Sequence, residues 1–265
     1  RDTDRSRGLG DVYKRQGPFE ELNALDGEGF SAIVKKYNID TIFNLVALLS
    51  ATGEKNPKLA WDINIGALTN SLYIAKDNNC AVFTPSSIGA FGNDTPKDKT
   101  PQDTLQRSNT TIYGVCKVTG ELLSDYYFNR FGVDTRSVRF PGLISYVTLP
   151  GGGTTDYAVE IYYDAIRKGS FTCNVKEGTY MDMMYMPDAL NAVVQLMEAD
   201  PSKLKHRNSF NIASMSFEPE QIAAEIRKHL PDFKMDYQID PVKQAIANSL
   251  SLIHISEPTR PISIS

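Results

Sequence analysis

Apolar runs of strand length alternate with longer stretches of helical spacing along most of this chain, and that alternation leaves few folds open. Thr41–Leu48, Ala81–Ser87 and Thr135–Ile144 read as strands, with helical patterns over Phe30–Tyr37, Pro57–Lys76 and Thr110–Arg130. Leu22–Leu25 has the look of a strand end. A parallel partner strand is reached only through a crossover, so repeated strand–helix–strand units imply a parallel, doubly wound α/β sheet of the Rossmann-like kind. Thr41–Leu48 is almost continuously apolar, as in strands covered on both faces. Such sheets bind ligands at the carboxyl ends of their strands. The functional residues are therefore expected along one sheet edge.

At one such strand end the chain runs Thr84-Pro-Ser-Ser-Ile-Gly-Ala-Phe-Gly92, and the helix that follows carries Tyr113-Gly-Val-Cys-Lys117. Residues four apart share a helix face. A phenol is a poor base at neutral pH, but an adjacent ammonium favours its charged form, so the pair suits proton exchange with an alcohol. Of the 13 tyrosines only Tyr113 has lysine four residues on. Chance supplies about one such spacing in a chain this long, and an exposed helix pair is the plainer reading of the spacing alone. The serine pair at the preceding strand end makes the functional reading stronger.

After Ser145 the rhythm changes. Pro150-Gly-Gly-Gly-Thr-Thr-Asp-Tyr157 reads as a hinge or a loop over a substrate pocket, with a plain surface loop as the alternative, opening a helix through Gly169. It lacks the Gly-Lys-Ser/Thr of a phosphate loop. Strands are expected at Phe171–Val175, Asn208–Ala213 and Met235–Ile239, with helices at Pro187–Asp200, Pro219–Leu230 and from Asp240. Met181, Met183, Met184 and Met186 read as irregular packing at a lobe interface or a pocket lining. Trp61 reads as core or partner surface. The expected organisation is a partial dinucleotide-binding domain over 17–145 and a substrate lobe over 146–249, with about 176–200 returning to the first domain.

Composition excludes several classes. A net charge of -4 and a pI near 5.5 argue against nucleic acid or an anionic membrane as the partner. Cys80, Cys116 and Cys173 share no close spacing, and the three histidines are scattered, so neither a disulfide framework nor a metal site is indicated. No apolar run approaches the ~20 residues of a membrane span. A reducing compartment fits: the cytoplasm, or the mitochondrion in a eukaryote. Segments 1–16 and 250–265 lack the periodicity of the rest and resemble translated sequencing-adapter DNA, so they are set aside as non-native. A genuine basic arm is the alternative for the first.

Thr84–Gly92, Tyr113-x-x-x-Lys117 and Arg139-Phe-Pro-Gly-Leu-Ile-Ser145 together resemble the extended, epimerase-like short-chain dehydrogenase/reductase family. Ala47-Leu-Leu-Ser-Ala-Thr-Gly-Glu-Lys-Asn-Pro57, Pro150–Ala158, Tyr185–Leu190 and Ala213–Phe217 resemble its L-threonine 3-dehydrogenase branch, and the similarity covers about Gly17 to Asn248. The resemblance implies NAD-dependent oxidation of the threonine β-hydroxyl to L-2-amino-3-oxobutanoate in threonine catabolism. Catalysis would fall to Ser87, Tyr113 and Lys117: Tyr113 as base, Lys117 holding the nicotinamide ribose and favouring the phenolate, Ser87 bonding the substrate oxygen. It also implies cofactor contacts from Ala47, Leu48, Leu49, Pro141, Leu143 and Ile144, and from Asn23, which stands where the family usually has aspartate beside the adenine. Ser50, Gly153 and Thr155 would meet the substrate together with Ser87 and Tyr113. Relatives commonly pair as homodimers through the helices that carry Tyr113 and Trp61.

The sequence departs from the family at its start. A member opens with a strand, Gly-x-x-Gly-x-x-Gly and a helix whose N–H groups hold the pyrophosphate, and Gly8-Leu-Gly10 lacks the further glycine. The first βαβ unit and the final helices are expected to be missing, with NAD bound weakly and little turnover. Micromolar binding of NAD+ to this chain by isothermal titration would contradict that expectation. Two further readings stay open: a nucleotide-sugar epimerase or dehydratase, against which the loop at 150–157 lacks basic residues for a diphosphate, and a non-catalytic protein that senses a dinucleotide.

Overall fold

The computed structural model describes residues 18–92, 95–96, 100, 110–204, 207–212 and 215–250. The expectations for segments 1–16 and 251–265, and for residues 213–214, lie outside these. Helix α1 (Gly27–Lys36) starts at Asp26, whose side chain accepts from Gly29 N. Strand β1 (Thr41–Phe43), the one-turn α2 (Ser50–Gly53) and the long α3 (Pro57–Asn78) follow. Asn56 caps α3 and Pro57 occupies its first turn, where an N–H would have no helical partner. Next come β2 (Ala81–Phe83), β3 (Ser86–Ser87), α4 (Ile112–Phe131), β4 (Thr135–Arg136), β5 (Val138–Phe140) and β6 (Gly142–Ile144). The chain continues through α5 (Tyr157–Lys168), β7 (Ser170–Cys173), β8 (Met181–Tyr185), α6 (Met186–Glu198), β9 (Phe210–Asn211), β10 (Met215–Phe217), α7 (Pro219–Arg227), β11 (Lys234–Tyr237) and α8 (Pro241–Ser249).

β1 pairs with β2, β2 with β4, β3 with β5 and β5 with β9, all in parallel. Val82 stands opposite Thr135 and Ser86 opposite Arg139, so the runs 81–87 and 135–140 keep one register from end to end. Donors alternate along this run, Val82 N and Thr84 N toward 134–136 and Ala81 N toward Asp40, so the N–H that Pro85 lacks is missing on the β1 side. Pro141 separates β5 from β6, dividing the strand expected over Thr135–Ile144. β6 then pairs in parallel with β8, β8 antiparallel with β10, and β7 in parallel with β11. This is the α/β, Rossmann-like arrangement that the alternation predicts.

Three expectations are corrected. In place of a strand end at 22–25 the chain turns over 23–26, because the Asn23 side chain accepts from Leu25 N and its carbonyl from Asp26 N, a local bonding pattern that competes with extended chain. The run after Thr41 is not covered on both faces: Ile42 is buried, whereas Phe43 is 48% exposed and Leu45 68%. The methionine-rich segment is strand β8 running into the first residue of α6, Met186. Met181 and Met183 face one core with Tyr157, Ile161, Phe171 and Ile222, and Met184 joins another with Phe83, Val138 and Val193. Alternate residues of a strand point to opposite faces, so this one serves two cores. Trp61, 40% exposed, lies outside the core.

Asp134, just before β4, receives hydrogen bonds from Arg136 Nη2 at 2.7 Å and Arg207 Nη2 at 2.5 Å. Arg136 also donates to the carbonyls of Met197 and Ala199 at the end of α6. Burial disfavours the Asp134 charge, but the two guanidinium groups outweigh it and hold the carboxyl below its ordinary 3.8. A depressed carboxyl stabilises the fold above its unfolded pKa, and that contribution is lost as pH falls through the folded value. Urea unfolding of Asp134→Asn should therefore show a deficit at pH 7 that narrows as pH is lowered below about 4. A deficit independent of pH would contradict this.

Candidate active site

A cleft of about 360 Å³ opens where β1, β2–β3 and β5–β6 end. Helix α4 forms one wall. Thr111 caps it, its hydroxyl accepting from Gly114 N at 3.0 Å, and this fixes Tyr113 in the first turn and Lys117 one turn later. Lys117 Nζ lies 5.2 Å from the centre of the Tyr113 ring and donates to the Pro85 carbonyl at 2.6 Å. Ser87, at the end of β3, accepts from Gly89 N at 3.1 Å. A Cβ at Gly89 would stand 3.3 Å from the Tyr113 ring and 3.4 Å from Ser87 Oγ, so glycine lets the ring lie against the turn. Ser87, Tyr113 and Lys117 thus converge on one cleft.

The opposite wall holds Ala47, Leu49 and Ser50. Leu48 does not line the cleft; its N–H donates to Asn64 Oδ1 at 2.7 Å and its carbonyl accepts from Asn64 Nδ2 at 3.2 Å, so α3 grips its backbone and its neighbours face the cleft. Pro141 and Leu143 line the cleft, whereas Ile144 packs toward the core containing Met181 and Met183, as alternation along β6 requires. Asn23 lies in the turn before α1, outside the cleft lining. Gly153 and Thr155 line the cleft from the loop after β6.

Several lining residues escaped the sequence reading. Asp156 Oδ2 accepts from Gly152 N at 2.7 Å and Gly153 N at 2.6 Å, tightening the loop around a carboxylate. Gly152, at φ 103°, takes a conformation that side chains rarely adopt. Thr154 Oγ1 lies 3.4 Å from Ser50 Oγ, joining the loop to α2. Ser86 and Glu121 lie at the cleft floor, with Ser86 Oγ donating to Glu121 Oε1. Glu121 was within reach of the sequence: it stands one turn beyond Lys117 on the Tyr113 face. Cys116 also lines the cleft, and burial pushes its thiol above the ordinary value, so it stays protonated at neutral pH.

The site fits the ribose and nicotinamide end of a dinucleotide. Thr84 borders the cleft with a buried hydroxyl that has no protein partner, which a ligand hydroxyl or amide would satisfy. Lys117 is the one cation among the described lining residues. Among the described residues no group of three His, Cys, Asp or Glu is placed to hold a metal, and no helix is long and apolar enough to cross a membrane.

A parallel sheet with serine at a strand end, and tyrosine and lysine on the adjacent helix facing the same cleft, defines a dinucleotide-dependent short-chain oxidoreductase or epimerase. Residues 2–213 match the NAD dependent epimerase/dehydratase family. The chain belongs to that family, and its cofactor class is a nicotinamide dinucleotide. It is 61% identical over 233 residues to an uncharacterized epimerase/dehydratase of Staphylococcus haemolyticus, covering 88% of this chain and 73% of the relative. Among solved structures it is similar to L-threonine dehydrogenase from Clostridium difficile, at 59% identity and a TM-score of 0.85 over 89% of this chain and 73% of that one. It is also similar to L-threonine dehydrogenase from Phytophthora infestans, at 46% identity and 0.86 over 90% and 76%.

The backbone around Gly142 is a tight point of the site. A Cβ there would stand 2.7 Å from Thr155 Cβ. Gly142→Ala should lower unfolding stability in urea by about 1–3 kcal/mol, as overpacking does. Unchanged stability would show that the loop yields freely.

Proposed function

We propose that the protein oxidises the β-hydroxyl of L-threonine to the ketone of L-2-amino-3-oxobutanoate, with NAD+ as the oxidant. The observation that carries this reading is the convergence of Ser87, Tyr113 and Lys117 on one cleft whose described lining holds a single cation, itself bonded to Pro85 O. A nucleotide-sugar diphosphate calls for several positive groups, whereas a small amino alcohol needs hydroxyls and backbone. The likeness to two L-threonine dehydrogenases supports the same substrate.

When bound, NAD+ supplies the hydride-accepting ring. Tyr113 takes the alcohol proton, and its place against Gly89 and beside Ser87 sets the direction of that transfer. Ser87 Oγ bonds the substrate oxygen and holds it toward the phenol. Lys117 stabilises negative charge on Tyr113 and would hold the ribose, while Ala47, Leu49, Pro141 and Leu143 would hold the nicotinamide half of the cofactor. Ser50, Gly153 and Thr155 meet the amino-acid head group. We assign the cofactor half to 17–145 and the substrate lobe mainly to 146–249, with about 176–200 returning to the cofactor half. A homodimer formed through α3 and α4 is supported by exposed Trp61, Tyr73, Leu122 and Tyr126.

Proton transfer by a positioned group contributes about 10²–10⁴-fold to rate, so Tyr113→Phe should lower threonine-dependent NADH formation by about that factor, with NAD+ affinity changed less than about tenfold. Parent-level turnover in the variant would remove Tyr113 from the chemistry.

A further inference from the structure

Beneath the cleft lies a group of side chains that the proposed chemistry does not use. Arg139 donates to Glu121 through Nε at 3.0 Å and Nη2 at 2.9 Å, and through Nη1 to Asn211 of β9 at 3.1 Å. The guanidinium also lies 4.9 Å from the centre of the Phe91 ring. Both charged side chains are almost wholly buried. Glu121 Oε1 accepts in addition from Ser86 Oγ. Ser86 and Arg139 face each other across the β3–β5 ladder, so one carboxylate of α4 closes onto both strands at the rung next to Ser87.

A buried ion pair is a poor device for stability alone, because desolvation offsets most of its attraction. Its strength is geometric, since the two-pronged guanidinium contact fixes the plane of the carboxylate. That plane is fixed where it meets the residue preceding Ser87. Tyr113, Lys117 and Glu121 follow at successive turns of one helix face, and the last two both hold the Pro85–Ser86 backbone segment, through the Pro85 carbonyl and the Ser86 hydroxyl. On its β1 side the strand pairs no further than Phe83 and Pro85 has no N–H to offer, so side chains of α4 supply restraint at the Pro85–Ser86 segment.

We infer that Ser86 and the Glu121–Arg139 pair are positioning residues that set the placement of Ser87 relative to Tyr113. None of the three touches the reacting atoms; each acts through Ser87. The inference rests on the reading that Ser87 and Tyr113 work on the same alcohol, and it names what keeps them in place.

Ser86→Ala removes the tie between helix and strand but leaves Glu121 paired with Arg139, so no buried charge is stranded. In the purified protein the Ser87 and Ile88 amides should exchange with deuterium at least about tenfold faster, as local restraint is lost, with protection elsewhere in the sheet unchanged. The kcat for threonine should fall by about tenfold to 10²-fold, as a small misplacement produces, with NAD+ affinity and melting temperature close to the parent. The deciding comparison is the double variant. On a Ser87→Ala background, Ser86→Ala should add less than about twofold, because its effect passes through a group already removed. A merely structural role would give multiplying losses, and that result, or unchanged exchange at Ser87 and Ile88, overturns the inference. If the parent protein forms no NADH from threonine, the functional reading fails, and the exchange measurement alone decides the positioning role.

Discussion

Pro85 and the side chains that compensate for it set up the rest of this structure. The line from Ala81 to Ser87 holds its parallel register against 135–140, while on its other side, toward β1, pairing stops at Phe83 and Pro85 has no N–H to extend it. Thr84 N donates to the Arg136 carbonyl at 3.1 Å, and Ser86 pairs with Arg139. At this segment α4 takes hold through Lys117 on the Pro85 carbonyl and Glu121 on the Ser86 hydroxyl. A helix and a strand that would otherwise meet only through apolar packing are thereby joined at the residues that border the cleft. The absence of a Cβ at Gly89 then lets the Tyr113 ring approach the same turn.

From this arrangement follows the polarity of the cleft. Lys117 is committed to a carbonyl, Glu121 to Arg139 and Ser86, and Asp156 to the amides of Gly152 and Gly153. The charged groups that border the space are largely engaged by the protein, while Ser50, Ser87 and Tyr113 line it with hydroxyls. Such a lining suits ribose hydroxyls and a small zwitterion better than a diphosphate. The contact between Ser50 and Thr154 brings the loop at 150–156 against the wall that carries Ala47 and Leu49, so the two border one enclosure.

Much of this was legible in the chain because strong local signals agree with the global fold. Thr111 before a helical pattern, Pro57 after Asn56, and Gly132 at φ 72° behind Phe131 are boundary signals that the structure obeys. Tyr113 and Lys117 were readable as one helix face, and the serine pair as a strand end. What escaped depends on tertiary context. Nothing local marks Met181–Tyr185 as a strand, since its burial comes from two cores supplied by distant elements. Ser86 and Arg139 are 53 positions apart in the chain and meet through strand register, and Asn64 reaches Leu48 through the packing of α3. Asn23 and Ile144 were assigned by kinship; a turn and the alternation of β6 place them off the cleft.

The central claim is that this cleft acts on the secondary alcohol of a small amino acid. Initial rates of NADH formation by the purified protein with L-threonine and L-serine, run beside epimerase assays with UDP- and dTDP-sugars, test it most directly. The account predicts NADH from threonine at a rate well above serine, and no conversion of the sugar nucleotides. Turnover of a sugar nucleotide with none of threonine would contradict it.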